Sequence, residues 1–214
     1  MLLVQQYYDS FKDVFVIFSS ATFTVYILCI ITNNPFYKTQ MENKDKIKKV
    51  VKTSMCMMVE TAGITIILLN NQYISSDCHS ISRTIMNIGW YVSMIEFVYY
   101  FAHRLMHHKY VYSFHKEHHR AIAVYPIDTY YVSYMDVQVN ILTYITPVFL
   151  CTLNKMEYYI VLYMYFVFEY ISHSPMLYNH HVIHHRLHKY NYCFMIPIFD
   201  IFCDTYKDIT IENQ

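Results

Sequence analysis

Five long apolar stretches constrain this 214-residue chain more than any other feature. Two carry no charged residue and three carry a single glutamate each, and the longest have the length of candidate membrane spans. A soluble helix needs a polar face, which these runs lack, so a soluble bundle is the less favoured alternative. The sequence therefore predicts an all-α integral membrane bundle. The runs are Val14–Ile31, Thr53–Leu69, Ile85–Ala102, Val137–Leu153 and Tyr158–Ser172.

The basic residues indicate an orientation. If all five runs cross, 13 of the 16 Lys and Arg fall on the side that receives 32–52, 103–136 and 173–214. Cytosolic loops carry such an excess, so this side is predicted to be cytosolic. The Lys-rich segment 43–52 is interpreted as a topology signal, with a contact to anionic lipid as the alternative. The last two runs also fit a re-entrant or tilted pair.

Composition excludes several function classes. Only two glycines occur, Gly63 and Gly89, so a Gly-rich nucleotide or phosphate loop is not expected. The formal charge is zero, which gives no basic field for a nucleic acid. The six cysteines show no C-x-x-C pairing, and nothing in their spacing indicates a disulfide framework.

Histidine is the chemical anomaly, because twelve of the 13 histidines lie after position 102. They form boxes at three- and four-residue spacing, which brings side chains to one face of a helix. Neutral imidazole is a good ligand for iron, zinc, copper and nickel. The number of rings exceeds what one ion needs, so two ions are predicted. The predicted ligands are His103, His107, His108, His115, His118, His119, His173, His181, His184 and His185.

Some assignments around the boxes stay open. His108 directly follows His107, and only one of the two needs to face a metal. His180 and His188 flank the third box and are weaker candidates. His79, far from the boxes, is interpreted as an ordinary hydrogen-bonded or exposed residue. Glu169 lies four residues before His173, where it would share a helix face with that ring and orient it from outside the ligand set.

The boxes carry a family resemblance. H-R-L-M-H-H at 103–108, H-K-E-H-H at 115–119 and H-V-I-H-H at 181–185 resemble those of the fatty acid hydroxylase/sterol desaturase superfamily. The resemblance covers about residues 85–207. Segments 169–175 and 191–192 are similar to sterol C-5 desaturases in particular, and 199–206 resembles the family's ending. The sequence departs from the family at four positions, with Ser133 and Phe166 where many relatives have His, Cys193 for Gly and Phe199 for Trp.

This resemblance implies a non-haem di-iron oxidoreductase of the endoplasmic reticulum that uses dioxygen to desaturate or hydroxylate a lipid. It implies two iron ions, with zinc possible in purified protein, held in a cytosolic helical cap. Cytochrome b5 and its reductase would supply electrons. A sterol is preferred as substrate, and a fatty acyl or sphingolipid hydroxylase is the alternative. We expect a membrane hairpin over 1–84, the enzyme domain over 85–207 and a tail over 208–214.

Two further interpretations belong to other classes. One is a His-rich metal-binding or transport membrane protein without oxidase activity, and transport would need ligands inside the spans. The histidines instead follow the apolar runs, and those runs contain no aspartate. A relative that keeps the architecture but has lost activity is the remaining alternative, and turnover would distinguish it from an enzyme.

Overall fold

The computed structural model describes residues 2–37, 44–122, 124–176 and 179–209. Within them every regular element is helical, which confirms the all-α prediction, and no strand is formed beyond one isolated bridge between Ser75 and Asn154. The α-helices are α1 (Leu2–Ile31), α2 (Lys44–Asn70), α3 (Ile81–Met106), α4 (Tyr112–His115), α5 (Tyr134–Ile145), α6 (Lys155–Ser172), α7 (His180–Leu187) and α8 (Ile198–Phe202). Three 3-10 turns cover His118–Arg120, Pro126–Tyr130 and Thr146–Leu150.

The long helices pack through apolar faces joined by buried hydroxyl contacts. Helix α1 packs on α2 and α6, while α3 contacts α5 and α6. Between α2 and α5, the Tyr144 hydroxyl donates to Thr61 over 2.8 Å, and between α2 and α6, the hydroxyls of Thr65 and Tyr158 lie 2.9 Å apart. Such pairs hold apolar helices together, because each hydroxyl gains a partner that the surroundings would not provide. Part of the tyrosine content is explained in this way.

Helix α5 is shorter than its apolar run. Pro147 lies in the 3-10 turn that follows it, where the missing N–H and fixed φ prevent an α-helix from continuing. The 12 residues of α5 rise only about 18 Å, against a hydrocarbon core of about 30 Å. The helix in the fourth run is therefore too short to cross a bilayer as a straight span, and a re-entrant or tilted arrangement stays a prediction.

Two described helices are long and apolar enough to cross a bilayer, over Leu3–Ile31 and Lys44–Asn70. Along α1, α2 and α3, large apolar side chains point away from the bundle. Apolar patches of this extent mark contact with a membrane or another apolar partner. They include Phe15, Phe23, Ile31, Val59, Ile67, Ile85, Trp90 and Phe97.

The two ends of α3 differ in chemistry. Before its first turn, the His79 ring lies 2.9 Å from both carboxylate oxygens of Glu157, at the start of α6. His79 is thus hydrogen-bonded, as expected for a residue outside the boxes. At the other end of α3, the 3-10 turn His118–Arg120 and helices α4 and α7 form a cap that contains the box histidines.

Both glycines lie inside helices, which gives a test of the packing. A Cβ added to Gly63 would meet Tyr7 at 3.9 Å, an ordinary van der Waals contact. Gly63→Ala is expected to raise the free energy of unfolding by about 0.5–1 kcal/mol, because alanine loses less entropy in a helix. Ala62→Leu is the control, since Ala62 is fully buried and overpacking costs about 1–3 kcal/mol. Circular dichroism during denaturation in detergent measures both, and a destabilised Gly63→Ala would contradict this packing.

Candidate metal centre

Helix ends bring the three boxes together. His103 lies in the last turn of α3, and His107 immediately follows that helix. The second box occupies the end of α4 and the 3-10 turn His118–Arg120, and the third lies on α7. His173 follows the last residue of α6. The ends of two long helices and three short elements therefore bring the rings of all three boxes together.

The rings form two clusters that could each hold an ion, and the ligand atoms within each lie within 4.8 Å of one another. The first cluster is His103, His107, His115, His119 and His184. The second cluster is His118, His173, His181 and His185. Each cluster combines residues from more than one box, so neighbouring residues of a box face different positions.

The Nε2 atoms of the cluster rings, which we call the inner nitrogens, have the spacing of metal ligands. The Nε2 atom of His184 lies 3.0 Å from that of His107 and 3.2 Å from that of His119. In the second cluster, the Nε2 atoms of His118 and His173 are 3.1 Å apart. Two ligands at right angles, each about 2.0–2.1 Å from an ion, would be separated by about 3.0 Å. The donor set therefore fits a metal in geometry.

The hydrogen bonds of the Nδ1 atoms, which we call the outer nitrogens, explain why the Nε2 atoms can bind a metal. Nδ1 of His103 donates to the main-chain oxygen of Tyr192 over 2.9 Å, and Nδ1 of His184 donates to Tyr190 over 2.6 Å. A carbonyl can only accept, so the ring proton resides on Nδ1 and Nε2 keeps its lone pair. This arrangement fixes the tautomer and ring direction that metal-binding histidines require.

Burial keeps these rings neutral. It lowers the pKa of His173 to about 4, even though the hydrogen bond to the Glu169 main-chain oxygen acts in the opposite direction. Burial also lowers the pKa of His107 to about 3, with further lowering from the neighbouring His115 and His188. Both imidazoles are therefore unprotonated near pH 7, the form that binds metal.

Two buried carboxylates hold the segment that supplies the carbonyls. We call residues 190–196 the post-box segment. Glu96 on α3 accepts the main-chain N–H groups of Phe194, Met195 and Ile196, at 2.6–3.1 Å. Asp200 accepts those of Tyr192 and Cys193, each at 2.8 Å. The positions of the His103 and His184 rings therefore depend on carboxylates that do not touch them.

Several residues discussed from sequence lie outside the clusters. His108 departs from the predicted ligand set, because it is exposed and its ring contacts that of Tyr110, at a centroid distance of 5.1 Å, instead of a cluster ring. His180 is buried, with Nε2 3.0 Å from the main-chain oxygen of Cys193. The His188 ring lies 4.5 Å from that of His119 but belongs to neither cluster. Nine of the ten predicted ligands are thus brought together.

Glu169 contacts the centre through its backbone. Its main-chain oxygen accepts from Nδ1 of His173 over 2.9 Å, while its carboxylate accepts from the Tyr130 hydroxyl over 2.7 Å. Its orienting role stays a prediction, to which the structure adds the main-chain contact. Phe166, one turn earlier, is fully buried and packs edge-on against Phe18.

A small cavity adjoins both clusters. It has a volume of about 20 Å³, which is room for one water-sized molecule. His115, His118 and His173 line it on the cluster side, and Asp136 and Glu169 line it among the residues of α5 and α6.

Sequence reasoning missed the role of Asp136. Its Oδ1 atom lies 2.7 Å from Nδ1 of His115. The available signal was the Ser133-x-x-Asp136 spacing, a pattern typical of helix N-termini. Ser133, which stands where many relatives have His, caps α5.

Comparison with known proteins gives one family. The model described as "Fatty acid hydroxylase" matches residues 88–205, which is more than half of the chain. The chain is 32% identical over 121 residues to the Delta(7)-sterol 5(6)-desaturase erg31 of Schizosaccharomyces pombe, covering 51% of this chain and 40% of that protein.

A second relative is more distant. The very-long-chain aldehyde decarbonylase GL1-5 of Oryza sativa subsp. indica is 23% identical over 150 residues, covering 56% of this chain and 24% of that protein. The matched part is thus less than half the length of either relative. No solved structure matches the chain.

The clusters predict that a box histidine inside a cluster and one outside it have unequal effects on metal content. Removing a ring of the first cluster with His184→Ala should lower metal content, since a lost ligand typically costs about 10–100-fold or more in affinity. His108→Ala should leave metal content unchanged, because its ring faces outward. Elemental analysis of protein purified in detergent measures both. Equal losses in the two variants would show that His108 also binds.

Proposed function

Because the chain belongs to the fatty acid hydroxylase family, we propose that it is a membrane-bound non-haem di-iron oxidoreductase that desaturates or hydroxylates a lipid with dioxygen. The observation that carries this proposal is the pair of buried histidine clusters. The enzyme domain would cover 85–207, with the hairpin over 1–84 and the tail over 208–214. The family match at 88–205 supports the central boundary.

The chain's own residues would prepare the centre. His103, His107, His115, His119 and His184 would hold one iron, and His118, His173, His181 and His185 the other. When bound, the iron pair supplies the oxidant for an unactivated C–H bond, which no side chain can provide. Main-chain carbonyls orient the rings, and burial excludes bulk water. The small cavity beside His118 leaves space for one small molecule.

Iron is the proposed physiological metal. Imidazole sites bind zinc at least as well as ferrous iron, so the rings alone do not select iron over zinc. Zinc in purified protein would therefore agree with the same sites.

A sterol is the proposed substrate. Segments 169–175 and 191–192 resemble sterol C-5 desaturases, and the similarity to a Delta(7)-sterol 5(6)-desaturase supports the same choice. These segments shape the centre: Asn191 donates its side-chain amide to the main-chain oxygens of His180 and Lys207. A fatty acyl or sphingolipid chain is the alternative substrate.

Electrons are proposed to come from cytochrome b5 and its reductase. Gly63 and Gly89 lie within α2 and α3, so neither glycine forms a nucleotide-binding loop. We place the protein in the endoplasmic reticulum with the clusters facing the cytosol. The exposed apolar faces of α1, α2 and α3 and the excess of basic residues on the cluster side support this orientation.

Expression in a yeast strain that lacks its sterol C-5 desaturase tests the substrate. We expect 5,6-unsaturated sterol to reappear with the chain and to be absent with His184→Ala, because that variant loses a cluster ring. Sterol and acyl-chain profiles by mass spectrometry are the measurement. If the sterols were unchanged and new hydroxylated acyl chains appeared, the sterol would be wrong as substrate and the chain would be a fatty acid hydroxylase.

The orientation has its own test. Cys78 is exposed near the start of α3, and Tyr110 is 77% exposed beside the clusters. A membrane-impermeant thiol reagent should label Tyr110→Cys from the cytosolic side and Cys78 only from the opposite side. Cys193 is a poor reporter because it is fully buried. Labelling of both positions from one side of sealed vesicles would refute the orientation.

A further inference from the structure

One ring in the two clusters has an outer contact unlike the rest. Among the nine cluster rings that the structure describes, only His115 pairs a ring nitrogen with a carboxylate, through the 2.7 Å contact from Nδ1 to Asp136. Four other cluster rings direct Nδ1 at a main-chain oxygen instead of a carboxylate. They are His103, His184, His173 and His185. The first cluster therefore has a ligand ring that is hydrogen-bonded to a carboxylate, and no ring of the second cluster has a contact of this kind within the described residues.

Asp136 is held firmly in this position. It is 4% exposed and occupies the first turn of α5, where the helix dipole favours a negative charge. Its second oxygen accepts the main-chain N–H of Ser133 over 3.3 Å. The Ser133 hydroxyl accepts the Asp136 N–H over 3.1 Å and donates to the Phe114 oxygen over 2.6 Å. One carboxylate thus caps a helix and orients a ring.

We propose that Asp136 is a positioning residue that makes the first cluster the tighter of the two metal sites. This inference rests on the proposed function, because it concerns the two ions assigned there. A carboxylate that accepts the outer proton of a ligand imidazole fixes the ring and raises the basicity of its inner nitrogen. The ion in the first cluster would gain from this contact through its own ligand His115, whereas the ion in the second cluster has no ligand ring that contacts Asp136.

The chain contains a matched control. Glu157 has the same place in the first turn of α6, accepts the main-chain N–H of Asn154 over 3.0 Å, and contacts Nδ1 of His79 over 2.9 Å. Glu157 and the His79 side chain are also buried. This pair lies beyond the opposite end of α3, away from both clusters. Glu157→Gln therefore removes a buried carboxylate that caps a helix and contacts a histidine, at a histidine that belongs to neither cluster.

The experiment titrates metal-stripped full-length protein in detergent with Co²⁺, following the visible absorption and the bound metal. The wild type should take up two ions in two steps of unequal affinity. Asp136→Asn should weaken the tighter step by about 10–100-fold and shift its absorption bands, leaving the weaker step unchanged. Asp136→Glu, which keeps the charge, should restore part of the affinity. Glu157→Gln should leave both steps and their bands as in the wild type.

The outcomes separate this inference from the proposed function. A wild type that takes up fewer than two ions would refute the paired site itself. Two wild-type steps of equal affinity would overturn the inference without any variant, so it stays testable if Asp136→Asn does not fold. An Asp136→Asn titration that matches wild type, or that weakens both steps equally, would also overturn it.

Discussion

The hydrogen bond from an outer ring nitrogen to a fixed acceptor is the interaction on which the rest of the centre depends. A buried neutral imidazole has one proton, and the partner of Nδ1 decides whether Nε2 presents a lone pair. In His103 and His184 that partner is a main-chain carbonyl. Without these acceptors, Nε2 atoms that lie 3.0–3.2 Å apart would hydrogen-bond to one another instead of presenting lone pairs to an ion.

Carbonyl acceptors are useful only where the backbone that carries them cannot shift, and this requirement explains the buried carboxylates. Glu96 and Asp200 together accept five main-chain N–H groups of the post-box segment. A buried polar group is tolerated when its hydrogen bonds are complete, and here each charge gains several donors. The apolar bundle and the polar cap are thus joined through a carboxylate on α3. The free-energy cost of burying this carboxylate is offset by the three hydrogen bonds that it accepts.

The apolar runs were enough to predict the all-α fold. Box spacing predicted nine rings that the structure brings together, because three- and four-residue separations place side chains on one face of a helix. It could not predict the division into clusters. His118 and His119 separate because the second box continues into a 3-10 turn, and His108 points outward because α3 ends before it. The carbonyl partners and the Asp136 contact join residues far apart in sequence, so no local pattern encodes them. Pro147 did mark the end of α5, although the apolar run continued past it.

Adjacent residues in two places, His118–His119 and His184–His185, divide between the two clusters. Neighbouring Cα atoms are joined by covalent bonds and lie about 3.8 Å apart. The separation of the two binding positions is consequently tied to bond lengths and peptide planarity, which are far stiffer than contacts between helices. A bilayer that changes thickness or tension can tilt the long helices, yet the distance between the two binding positions would be preserved.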